Sequence, residues 1–169
     1  MTTKSLSEMV EKLIETLSSE AVVFEDFLKL LSQQQEMLVN NDIDGLNRVT
    51  GLQREKVAQS QLLNQRRDKL VAEIKSANAI EGDLNVSMLL EHVDEHQGGR
   101  LIQLREIIQS LTQKIGEVRN QNAMLLNRSK EYILRTMELL SKINNPDSGY
   151  AANGETVENS SAVAVDRRA

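Results

Sequence analysis

Apolar residues recur through the first part of the chain at alternating spacings of three and four: Leu6, Val10, Leu13, Leu17, Phe24, Phe27, Leu31 and Leu38. That spacing holds one face of a 3.6-residue helix in line, and Met9, Ile14, Ala21, Val23, Leu28 and Leu30 broaden it. So wide a face predicts a bundle helix with two neighbours; the seam of a two-stranded coiled coil is narrower. Ser5-Leu6-Ser7-Glu8 reads as a capping box at its start. Asn40-Asn41-Asp42 ends it, and Asp42 or Asp44 is placed to cap a second helix running to about Ser76. Ile43, Leu46, Val49, Leu52, Val57, Leu63, Leu70 and Ile74 give that helix its apolar side. Its middle, Gln53 to Asp68, is polar, which predicts fewer apolar contacts there.

Residues 77–99 break the pattern. Gly82, the run NVSMLLEHV and the pair Gly98-Gly99 predict one short helix between two breaks. A last long helix is expected from near Arg100, on Leu101, Leu104, Ile108, Leu111, Ile115, Val118, Asn122, Leu125, Ile133, Leu140 and Ile143, until Asn144-Asn145-Pro146 stops it. Pro146 is the only proline, so nothing before it removes a helical N–H or clashes with a preceding turn. The expected fold is all-α: an elongated antiparallel bundle of three long helices plus a short connecting helix. The bundle domain should span residues 1–145, followed at 146–169 by a polar tail, rich in Gly, Ser, Asn and Ala, with too little to bury to stay ordered alone.

Composition narrows this without changing it. Aromatic residues make up 2% of the 169 positions, so the core must come from Leu, Ile, Val and Met, as in helix bundles. There is no cysteine, which fits a reducing, cytoplasmic setting and excludes thiolate metal sites. No apolar run is long enough to enter a bilayer, the N-terminus lacks a signal-peptide core, and a net charge of −5 argues against nucleic acid as a partner. The charge is uneven: residues 1–40 hold three Lys against seven Asp and Glu, whereas 41–76 hold seven Lys and Arg against five acids. An acidic first helix beside a basic second one suits antiparallel pairing.

Candidate chemistry is sparse. His92-Val93-Asp94-Glu95-His96 matches the H-x-x-E-H pattern in which two histidines one helical turn apart hold zinc and the glutamate activates water. The chain has no third histidine, and the plain reading is a polar helix end closed by Gly98-Gly99. No phosphate loop and no serine–histidine–acid set is present, so neither an enzyme nor a cofactor is expected. Asn122 interrupts the apolar stripe between Val118 and Leu125; such an asparagine either sets helix register or bonds a partner. Tyr150, in the polar tail, has no core to join and offers a large contact area at low entropic cost.

These features together resemble the FlgN family of flagellar export chaperones. The resemblance rests on the layout of long helix, NDID turn, second helix with GLQREKVAQSQLLNQRRDKL, variable connection and final helix. Two stretches carry it further: Asn120-Gln121-Asn122-Ala123-Met124-Leu125-Leu126, similar to the family's asparagine before a Leu-Leu pair, and Tyr150-Ala151-Ala152-Asn153-Gly154, similar to its tail tyrosine with a glycine four residues on. Arg119 departs from the pattern, standing where many members have another asparagine. The resemblance implies a cytoplasmic chaperone of type III export. Such a chaperone holds the C-terminal amphipathic helices of hook–filament junction proteins, prevents their premature assembly and delivers them to the export gate. The partner-binding residues then expected are Asn122, Leu125, Leu126, Ile133, Met137 and Leu140 on the last helix, with Tyr150 and Gly154 in the tail. A chaperone is expected as a monomer or weak dimer; a self-associating coiled-coil scaffold, the alternative, would be a stable oligomer.

Overall fold

The computed structural model describes residues 5–144. They form α1 (Leu6–Asn40), α2 (Ile43–Ala77), α3 (Val86–Leu90) and α4 (Glu95–Asn144), with no strand among the described residues. The chain divides into two compact units, Met1–Ser129 and Lys130–Ala169. The expected disordered tail, and the domain boundary expected at Pro146, lie outside the described residues.

Local chemistry sets the helix ends in the first unit. The Ser5 hydroxyl accepts from the Glu8 N–H at 3.3 Å, satisfying one of the donors a helix start leaves free. At the far end Asn41 turns left-handed at φ 54°, and the N–H of Asp42 bonds back to the Met37 carbonyl at 2.9 Å, a Schellman-type closure. Asp42 then caps α2 by accepting from the Gly45 N–H at 2.8 Å. A Cβ on Gly45 would collide with the Asp42 carboxylate and the Met37 sulfur, so any larger residue there must displace the capping side chain.

α1 and α2 pack antiparallel, as contacts that run in opposite senses show: Gln34 with Gln53, Asp26 with Lys56, Glu20 with Arg67. The expected pairing of acidic and basic helices is thus realised in two cross-helix ion pairs. In the first unit α4 runs parallel to α1, with Gln97 on Ser7, Arg100 on Glu11 and Asn122 on Leu31. The main core sits where the start of α1, the end of α2, α3 and the start of α4 meet: Met9, Val10, Leu13, Ile14, Ile74, Leu89 and Leu101. Full burial of one such side chain stabilises by about 1.5–3 kcal/mol. Along α2 the buried positions are Gly45, Val49, Gln53, Leu70 and Ile74, so the polar middle packs as expected.

Three expectations need correction. Gly98-Gly99 do not end a helix: α3 closes at Leu90, and Asp94 caps α4 by accepting from the Gln97 N–H at 2.7 Å. The glycines therefore lie inside α4, whose start is Glu95, not Arg100. Gly98 is buried with Leu90 Cδ2 3.0 Å from where a Cβ would sit, so it serves close packing of α3 on α4. Finally, Ile43, Leu52 and Val57 of the expected α2 stripe are exposed, because α2 turns mostly polar positions toward its neighbours between its two packed ends.

Candidate functional site

In the first unit three amide side chains link all three long helices. Asn122, 5% exposed, donates through Nδ2 to the Leu31 carbonyl at 2.9 Å and to Gln34 Oε1 at 3.0 Å. Gln34 in turn donates to Gln53 Oε1 on α2 at 3.3 Å. Beside them Gln35 donates to Gln121 Oε1 at 3.2 Å. Buried polar groups bonded in one register make every slipped register costly. Two atoms of the relay stay unbonded, Asn122 Oδ1 and Gln53 Nε2. The amide of Asn122 therefore points into the bundle. Leu125 is half-buried, while Leu126 is 55% exposed at the edge of a cleft of about 250 Å³ that Gln34, Leu38, Leu46 and Asn122 also line.

Farther toward the other end of this unit, Phe24, Phe27, Val57 and Ile115 line an apolar cleft of about 240 Å³. It opens where short or polar α2 residues, Ser60 and Gln61, face Thr112. Nearby Glu20 is buried against Arg67, and burial pushes its carboxyl above the usual range against the pull of that guanidinium. The hydrogen bond from Arg100 holds the half-buried Glu11 below that range, and Lys56 does the same for Asp26.

The second unit is described from 130 to 144 as the last part of α4. No residue of 130–143 is buried. Ile133, Met137 and Leu140, expected at the partner surface, are 56%, 62% and 53% exposed. Tyr132, Leu134, Leu139 and Ile143 are exposed with them. Glu131, Arg135, Glu138 and Lys142 share one narrow charged stripe at spacings of four, three and four, where Lys142 bonds Glu138 at 3.0 Å. Tyr132 and Leu139 lie outside the stripe expected to meet a partner. Continuing the heptad count from Leu125 would have found both. Tyr150 and Gly154 lie outside the described residues.

The zinc motif does not form a helical site. His92 lies in the turn after α3 and His96 in the first turn of α4, both exposed, so the two histidines do not share one helix as that chemistry requires. Among the described residues no group of three His, Asp or Glu side chains is gathered to hold a metal ion. Among them, too, no helix is long and apolar enough to cross a membrane.

The first unit is thus a helical bundle with buried amides that fix its register, and the described part of the second leaves a broad apolar surface exposed. The FlgN protein family matches residues 9–158, and the chain belongs to that family of flagellar export chaperones. No curated protein and no solved structure matches it.

Proposed function

We propose that this chain binds the C-terminal amphipathic helices of hook–filament junction proteins in the cytoplasm, keeps them from assembling early and delivers them to the export gate. The observation that carries this reading is the open apolar surface of residues 132–143, in which Ile133, Met137 and Leu140 stand more than half exposed. An amphipathic helix laid on such a surface buries its own apolar face, and so loses the surface by which it would polymerise. Burying one Leu-sized side chain stabilises by about 1.5–3 kcal/mol, and a micromolar complex needs about 8 kcal/mol beyond the cost of association. Five or six side chains on this chain and as many on the client together bring about 15–36 kcal/mol, which covers that requirement. Leu125 and Leu126, in the first unit, are further candidate contacts, and the pattern of Tyr150 and Gly154 is assigned to client or gate recognition by the tail.

The test is a calorimetric titration of the full chain against a hook–filament junction protein, with and without that protein's C-terminal helices. Submicromolar binding that vanishes on truncation is expected. Equal binding of the truncated client would end this reading. The mass of the chain in solution separates it from a coiled-coil scaffold, which would be a stable oligomer without any client.

A further inference from the structure

The middle of α2 is attached to the first unit differently from its ends. From 53 to 70 the positions not exposed are Gln53, Lys56, Ser60, Leu63, Arg67 and Leu70. They recur at alternating spacings of three and four, so they form the inward seam of the helix. Between Gln53 and Arg67 that seam holds one apolar side chain, Leu63. On either side it is apolar: Val49 is buried before the stretch, Leu70 and Ile74 after it. Ser60 lines the cleft of about 240 Å³ together with Phe24 and Phe27 of α1. A serine at that seam position forgoes the burial that a leucine would bring.

What holds this stretch is polar. Gln53 accepts from Gln34 at 3.3 Å, and its own Nε2 has no partner. Lys56 donates to Asp26 at 2.8 Å with both side chains partly exposed, and pairs open to water contribute little. Arg67 and the buried Glu20 make the third tie. Opening returns both charges to water, so this pair resists opening far less than it resists the loss of one partner. Gly51 marks the near edge of the stretch: it is exposed, and nothing lies within 4 Å of where its Cβ would sit. It serves no packing and weakens the helix there.

We propose that residues 53–67 of α2 form a strap, which opens from α1 as a unit well before the bundle unfolds while the apolar ends of the helix stay packed. Segments with few buried apolar contacts are the ones that open at low cost. Here four of five successive seam positions lack such a contact. Opening uncovers Phe24 and Phe27, an apolar surface that the closed first unit keeps beside Ser60 and Gln61. The strap is a property of the first unit alone and holds whatever the client.

Hydrogen exchange of the full chain, read by mass spectrometry, tests this. Amides of 53–67 should be at least about a hundredfold less protected than those of 70–77. Their exchange should hardly respond to low urea, because a local opening exposes little surface, whereas that of 70–77 should rise steeply. Ser60→Leu fills the cleft and makes the seam apolar, so it should slow exchange of 53–67 by about tenfold or more. Ser60→Ala raises helix propensity without filling the cleft and should slow it far less. Exchange of 53–67 that matches 70–77 in rate and urea response overturns the strap. So does equal loss of protection along all of α2, which would mean that the helix leaves whole. A leucine effect no larger than that of alanine would trace the exchange to helix propensity and overturn it as well.

Discussion

Glu20 of α1 and Arg67 of α2 are joined through both carboxylate oxygens, each 3.0 Å from the same guanidinium nitrogen. Their surroundings are unequal: the Glu20 side chain is 3% exposed and that of Arg67 35%. Water still reaches the cation, while the carboxylate depends on its partner. Removing Arg67 would strand a buried charge, a change that typically costs about 3–5 kcal/mol. Arg67→Ala should therefore lower stability to urea by about 3 kcal/mol, the lower figure because a solvated arginine contributes less. An unchanged midpoint would show that Glu20 finds water in the folded chain.

The same pair sets a pH dependence. Burial raises the Glu20 carboxyl above its usual range despite the guanidinium, so the folded chain holds that proton more tightly than the unfolded chain does. Its contribution to stability is then fully present below the unfolded value of about 4.3 and is lost as pH rises through the folded value. Glu20→Gln, which cannot titrate, should gain on the native chain as pH rises above about 4.3. Glu11 and Asp26 shift downward and have the opposite sign, but both proteins carry them and they cancel in the difference. The check is the difference in urea midpoint across that range; a constant difference would mean that Glu20 titrates normally.

The glycines divide by what a Cβ would meet. At Gly45 it would strike the Asp42 carboxylate and the Met37 sulfur, whereas at Gly116 nothing lies within 4 Å. Gly45→Ala should destabilise, because it opens the turn and loosens the Asp42 cap, whose loss alone costs about 1 kcal/mol. Gly116→Ala should stabilise by up to about 1 kcal/mol through helix propensity. Thermal melts of the two variants should move in opposite directions.

Helix existence and most helix ends were legible in the sequence, because they follow from local chemistry. Ser5, Asn41 and Asp42 act within five residues of themselves, and an apolar period needs no knowledge of the partner helix. Gly98-Gly99 was misread because a glycine pair signals a break only where the backbone must turn. Here Gly98 answers to Leu90, a contact between elements that no local pattern contains. Glu20 was missed for a similar reason. It sits in the gap of the first apolar stripe between Leu17 and Phe24, and only the position of Arg67 on the facing helix makes that gap habitable for a carboxylate. At the candidate site, Ile133, Met137 and Leu140 were readable as apolar. Leu101 and Leu111 read just as apolar, and it is the placement of α1 and α2 within the first unit that buries them.

Variants at Asn122 test the register of the bundle apart from the binding of clients. Its Nδ2 is committed to the Leu31 carbonyl and to Gln34, while its buried Oδ1 has no partner. Asn122→Ala loses both bonds and leaves Gln34 with an acceptor to satisfy elsewhere, which should cost about 1–3 kcal/mol of stability. Asn122→Leu deletes the same carboxamide, its unbonded oxygen included, but fills the vacated space with apolar contact, so it should cost less than the alanine variant. Neither change touches residues 132–143, so at temperatures where both variants are folded their affinity for a junction protein should stay within about threefold of the native chain. Urea unfolding and titration on the same samples measure both quantities. Full stability with lost client binding would place Asn122 at the client interface and deny it the register role.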